Sequence, residues 1–122
     1  MVNLHGNTNA LHRGDIWWVD FGTPQGSEPG FQRPAVIVTS DRINASHIST
    51  VTVVPLTTNM KLAAAAGNVE LTRQTGGLPK DCVANVSQVT TVNRYQCIEK
   101  IGSLPLREIF ELGKGLRLLL DL

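Results

Sequence analysis

What most limits the fold of this chain is a succession of short β-branched and aromatic runs, followed at the end by a single stretch of helical spacing. Asp15 to Phe21 (DIWWVDF) alternates, with Trp17, Val19 and Phe21 on one face and Ile16 and Trp18 on the other. Both faces carry bulk, as expected where a sheet curls around its own core. Pro34 to Thr39 (PAVIVT) and Ser49 to Thr57 (STVTVVPLT) read as buried strands. Pro55 falls near the end of the second, where a lost ladder bond costs least. Val69 to Thr72, Cys82 to Val92 and Gln96 to Gly102 read as three more strands, and Gly76-Gly77 with Pro79 mark the turn between the first two of these.

Only then does the period change. Leu106, Ile109, Phe110, Gly113, Leu116, Leu119 and Leu120 share one helical face, with Leu112 and Leu118 off it. Ser103 is placed to cap this helix, and Pro105 falls in the first turn, where its missing N–H does no harm. Gly113 and Gly115 each cost about 1 kcal/mol relative to Ala in a helix interior, so a close approach is expected there, of a second helix or of the barrel. Five or six strands closed by one amphipathic helix make a mainly β, small barrel-like domain.

Met1 to His12 has no hydrophobic period and is expected to be a flexible N-terminus (residues 1–12), leaving residues 13–122 as one domain. Gly22 to Gln32 (GTPQGSEPGFQ) has loop composition and is long for a hairpin connection; long ordered loops in small domains are often functional. Thr58 to Asn68 (TNMKLAAAAGN) is expected to be a mobile loop, since its alanines favour a helical turn but the segment is too short to hold one alone.

Composition narrows the function. With 42% apolar and 17% charged residues the chain has an ordinary folded core. A formal net charge of +1 excludes a protein that holds nucleic acid by coating phosphates, so an RNA ligand must be gripped by few, local contacts. No apolar run is long enough to span a membrane and the first dozen residues lack signal-peptide character, which places the expected site of action in the cytoplasm. Cys82 and Cys97 read as small buried hydrophobes rather than a disulfide. His5, His12 and His47 show no metal-site spacing, and Asp15, Asp20 and Glu28 lack further ligands, so no metal and no cofactor is expected.

Cleavage of RNA by its own 2′-OH requires that hydroxyl to lose a proton, the leaving 5′-oxygen to gain one, and cover for negative charge on five-coordinate phosphorus. Arg33 stands between the Gly/Pro loop and a buried strand, where a rigid element would aim its planar fork at a phosphate. An ion pair with Glu28 explains the same position. Thr57 ends a strand on the face of Val51 and Val53; it could donate to a phosphate oxygen, or be there for β-propensity alone. Ser27 and Glu28 sit mid-loop, where turn chemistry and solvated charge also account for them. Gln88 lies among Val86, Thr90 and Val92 on a face suited to burial, as a structural bracket or a reader of base edges.

The segment Arg13 to Thr39 (RGDIWWVDFGTPQGSEPGFQRPAVIVT) closely resembles the opening of MazF/PemK toxins. The carrying residues are Gly14-Asp15, Trp17-Trp18, Gly26-Ser27-Glu28 and Arg33-Pro34. The likeness continues through Val54-Pro55-Leu56-Thr57-Thr58, Ser87-Gln88-Val89 and Lys100-Ile101-Gly102. It implies an SH3-like β-barrel with a C-terminal helix, usually a homodimer. The implied activity is a metal-independent endoribonuclease that cuts single-stranded RNA to a 2′,3′-cyclic phosphate, silenced by a cognate antitoxin. It further implies Arg33 and Thr57 as the catalytic pair and Ser27, Glu28 and Gln88 as substrate contacts. Arginine stays protonated at any ordinary pH, so Arg33 is assigned chiefly an electrostatic role. Two alternatives stand beside this: a gyrase-poisoning toxin of the same fold, acting through its C-terminal helix, and a non-catalytic SH3-like binding module.

Overall fold

The computed structural model describes residues 10–23, 26 and 31–122. Among them one seven-stranded sheet is formed. Its strands are β1 (Asp15–Asp20), β2 (Gln32–Ile37), β3 (Thr50–Thr57), β4 (Val69–Leu71), β5 (Cys82–Ala84), β6 (Thr90–Asn93) and β7 (Cys97–Ser103). A short helix, α1 (Asp41–Asn44), joins β2 to β3, and α2 (Leu106–Leu120) follows β7. The ladder order is β4-β5-β3-β2-β1-β7, with β6 paired to β3, and every pairing is antiparallel.

The strand β3 is the hub. One edge meets β2; the other meets β6 along Thr50 to Val53 and β5 along Leu56 and Thr57. Pro55 sits at this change of neighbour. Its carbonyl accepts from the Asn85 N–H at 3.1 Å, and a residue's N–H points to the same edge as its C=O. The donor that proline lacks would therefore face the turn between β5 and β6, where no ladder bond is due. The single strand expected from Cys82 to Val92 is broken at this place: β5 and β6 are separated by a 3-10 turn, Val86–Gln88.

Alternation along the strands buries both faces of the sheet. Ile16, Val36, Val54 and Leu56 face a core shared with Leu112 of α2. Trp17, Val19, Ala35, Ile37, Val51 and Val53 face a second core with Val92 and Cys97. Two register shifts in the β1–β7 pairing, at Ile16/Trp17 and Trp18/Val19, supply the extra twist that lets a small sheet wrap this way. No ladder joins β4 to β7 among the described residues; the 3-10 turn Thr75–Gly77 lies against β7 instead, and the barrel stays open. Cys82 and Cys97 are buried in different cores and unpaired.

The inward face of α2 differs from the one expected. Leu112 is 2% exposed and packs with Ile109 and Leu116, whereas Leu106 and Phe110 are 83% and 66% exposed. The deciding contact is backbone on backbone: a Cβ at Gly115 would stand 2.0 Å from the Gly67 carbonyl oxygen, so only glycine lets the helix lie this close. Gly113 meets only the Arg13 guanidinium, at 3.6 Å. Ser103 does not cap the helix; its hydroxyl donates to the buried Asp15 carboxylate at 2.9 Å, which also accepts from the His12 N–H at 3.1 Å and faces Lys100 Nζ at 3.6 Å.

Three further departures have local causes. Leu11, within the stretch expected to fray, is 4% exposed in the second core; residues 1–9 of that stretch lie outside the described residues. The helix α1, which the sequence does not announce, is capped by the Ser40 hydroxyl and tied to the segment before β1 through the bond from the Arg13 N–H to Asp41 Oδ1 at 2.7 Å. Met60–Ala64, expected to be a mobile loop, forms a 3-10 turn. The Asn59 side chain caps it. Asn68 pins the far end of the segment, donating to Leu62 O at 2.9 Å and accepting from the Val86 N–H at 2.9 Å.

Candidate active site

Register brings the two expected catalytic residues together. In the β1–β2 ladder Arg33 lies opposite Val19, and in the β2–β3 ladder Ala35 lies opposite Pro55. The β2–β3 ladder ends at Ala35–Pro55; continued by two residues, the same register would set Arg33 against Thr57. By alternation both fall on the strand face of Ala35, Ile37, Val51 and Val53, which line the second core. Both are half-buried. They line one cleft of about 290 Å³ with Phe31, Gln32, Pro34, Leu56 and Thr58.

The arrangement leaves donors available. Thr57 Oγ1 accepts from the Asn59 N–H at 3.1 Å, which fixes the oxygen and leaves its proton to donate outward. Asn59 is itself held, its side chain accepting from the Lys61 N–H at 3.2 Å. Among the described residues no carboxylate pairs with Arg33. A guanidinium fork and a hydroxyl, held by adjacent strands and facing one opening, suit an incoming phosphate. A carboxylate-paired Arg33 would have spent that fork within the fold.

Ser27 and Glu28 lie outside the described residues, and with them the ion pair weighed for Arg33. Gln88 is corrected in its setting: it ends the 3-10 turn Val86–Gln88 instead of lying in a strand, and it is not among the residues lining the cleft. Its backbone N–H donates to Asn85 O at 3.1 Å. Beside it Asn68 acts as a bracket, tying the Leu62 turn to Val86 and donating to Asn85 Oδ1 at 3.2 Å. Two residues escaped the sequence reading. Asn59 carries a usable signal, an Asx residue two places after a strand-ending Thr. Phe31 carries none, because its backbone conformation is set by the strands on either side.

Residues 12–120 match the family model described as PemK-like, MazF-like toxin of type II toxin-antitoxin system. The chain belongs to the PemK/MazF toxin family. Among its relatives, Endoribonuclease MazF2 of Mycobacterium bovis and Endoribonuclease MazF6 of Mycobacterium tuberculosis are each 40% identical over 113 residues, covering 93% of this chain and 99% of theirs. Endoribonuclease MazF9 of Mycobacterium tuberculosis is 37% identical over 116 residues. Among solved structures, MazF from Deinococcus radiodurans superposes with a TM-score of 0.78 at 20% identity, covering 93% of this chain and 98% of that one. A mycobacterial endoribonuclease in complex with its cognate antitoxin superposes with a TM-score of 0.76 at 20% identity, covering 93% and 97%. These likenesses place the open barrel and its C-terminal helix in the MazF fold. They favour the toxin reading over a stand-alone SH3-like binding module.

Proposed function

We propose that this MazF-type toxin is an endoribonuclease that cuts single-stranded RNA at the Arg33/Thr57 cleft without a metal ion. The observation that carries the reading is that Arg33 and Thr57, on the adjacent strands β2 and β3, line one cleft. In the reaction the 2′-oxygen attacks the adjacent phosphorus and the bond from phosphorus to the 5′-oxygen breaks. The products are a 2′,3′-cyclic phosphate and a 5′-hydroxyl end. Arg33 covers the charge gathering on the non-bridging oxygens with its fork. Thr57 donates a hydrogen bond to one of them. The 2′-proton leaves to solvent, and the 5′-oxygen takes one up. The guanidinium supplies the positive charge that a metal ion supplies in other nucleases. Ser27, Glu28 and Gln88 are assigned as substrate contacts.

The toxin acts in the cytoplasm in this reading; no helix among the described residues is long and apolar enough to cross a membrane. Its partners are a second copy of itself and an antitoxin. A groove of about 610 Å³ along α2, with Leu106, Ile109, Phe110, Leu116 and Leu122 in its walls, gives the homodimer an apolar face. A disordered antitoxin segment would cover the loop from Gly22 to Gln32 and so block entry of RNA. The test of the reaction is a substrate change. Once the cut is mapped on a long single-stranded RNA, replacing that nucleotide by its 2′-deoxy form abolishes cutting there and leaves binding intact. Continued cutting of the deoxy substrate excludes attack by the neighbouring hydroxyl.

A further inference from the structure

Phe31 combines two unfavourable features beside the phosphate cradle. Its backbone adopts φ 60°, the left-handed region that glycine enters freely and an aromatic residue rarely does. Its side chain is 66% exposed. The conformation is held from both sides: the Phe31 N–H donates to Gly22 O at 2.5 Å and the Phe21 N–H donates to Phe31 O at 2.8 Å. A glycine at this position would relieve the strain and the exposure together. What the chain obtains instead is an aromatic side chain on a pinned backbone, in the wall of the cleft that holds Arg33 and Thr57.

We propose that Phe31 is a stacking platform for a nucleobase next to the scissile phosphate, a base subsite beside the phosphate cradle. This rests on the reading of the cleft as the RNA-cleaving site. Phe31 and Arg33 are two residues apart along extended chain, roughly 7 Å, the scale of the step from a phosphate to its own base. Single-stranded RNA presents a planar apolar base and an anionic phosphate in that alternation, and the cleft offers an aromatic face and a cation in the same alternation. Phenylalanine has no polar edge, so it grips any base by its π-face and contributes affinity and alignment instead of sequence choice. Backbone pinning fixes where the ring is mounted before RNA arrives, so only its side-chain rotation is left to order in the bound state.

The test uses the full-length toxin and an oligonucleotide carrying the mapped cut site, with 2′-deoxy at the cut nucleotide and 2-aminopurine at either flanking base. Wild-type protein is expected to quench one of the two probes on binding. Phe31→Gly should lose that quench and bind about 5- to 150-fold more weakly. On cleavable RNA it should raise KM with kcat little changed, while melting no lower than wild type because glycine is relaxed at this φ. Phe31→Tyr should restore quench and affinity. The proposal is overturned if Phe31→Gly binds and quenches as wild type does. It is equally overturned if Tyr fails as badly as Gly, or if Phe31→Gly weakens self-association or antitoxin binding while RNA affinity stays unchanged. Arg33→Ala in parallel separates the two readings. Unimpaired cutting by Arg33→Ala removes the cleft as the nuclease site, whereas a persistent quench in Phe31→Gly removes only the base platform.

Discussion

Replacing Gly115 by alanine tests whether backbone contact, and not apolar spacing, decides how α2 sits on the barrel. Alanine in a helix interior is favoured over glycine by about 1 kcal/mol, so propensity alone makes the variant more stable. The structure says otherwise. The new Cβ would lie 2.0 Å from the Gly67 carbonyl oxygen and 2.9 Å from its carbon. Ordinary contact begins near 3.4 Å, so the helix or the Gly67 peptide must move by about 1.4 Å. Gly67 is itself left-handed, at φ +85°, within a segment tied down through Asn68, and gives way poorly. Movement of α2 instead opens the core around Leu112, where burying a leucine is worth about 1.5–3 kcal/mol. Overpacking of this kind costs typically ~1–3 kcal/mol. The net expectation is a loss of about 2 kcal/mol, seen in thermal unfolding as a fall in Tm of roughly 5–10 °C. Gly113→Ala is the control, because its Cβ meets only the Arg13 guanidinium at 3.6 Å and should leave the barrel contact undisturbed. Gly115→Ala melting at or above the wild-type temperature would refute the argument that Gly67 sets the helix position.

Three other outcomes are expected. Thr57→Val, which keeps shape and removes the hydroxyl, should lower kcat by about 10²- to 10³-fold, the usual effect of losing one such donor; Thr57→Ser should retain most of the rate, and a fully active Val variant would release Thr57 from the mechanism. Burial pushes the Cys97 thiol up to about 11 from an ordinary 9.0, with nearby Arg94 opposing, and raises Cys82 as well. The folded state then holds these protons more tightly than the unfolded chain, so stability should fall as pH climbs from about 9 towards 11; a Tm that stays level or rises over that interval would contradict it. Phe110→Glu, placing a charge on the exposed face of α2, should shift sedimentation at micromolar concentration from dimer to monomer, and a wild-type monomer would dispose of the proposed interface.

Legibility in the sequence followed a physical line. The strand Asp15–Asp20 is readable because its alternation is a local property: Trp17 and Val19 enter one core and Ile16 the other, while Trp18, expected beside Ile16, is half-buried and joins neither. The face of α2 was not, because the helix carries apolar residues on more than one side. Spacing cannot tell which side meets the barrel; the Gly115–Gly67 approach does, and it joins residues far apart in the chain. Gln88 was misplaced for a related reason. Val86, Thr90 and Val92 alternate as one strand would, but β3 changes neighbour at Pro55 and the chain turns there to let it. Arg33 and Thr57 each had an ordinary structural explanation when taken singly. They reach one cleft only once β2 and β3 are paired, so family likeness pointed to the pair and the fold supplied the shared opening. Phe31 depended wholly on tertiary context, since nothing in GFQR announces a left-handed phenylalanine.

The central claim is that the Arg33 fork stabilises charge on a phosphate during metal-free attack by the 2′-hydroxyl. The most direct measurement is single-turnover cleavage of a long single-stranded RNA in EDTA by wild type, Arg33→Ala and Arg33→Lys, with the new ends analysed. The account predicts that wild type cuts at full rate and leaves 2′,3′-cyclic phosphate and 5′-hydroxyl ends. It predicts that Arg33→Ala is slower by about 10²- to 10³-fold, and that Arg33→Lys recovers little because a point charge cannot replace the fork. Near-wild-type turnover by Arg33→Ala, or cleavage that stops when EDTA is added, would contradict it.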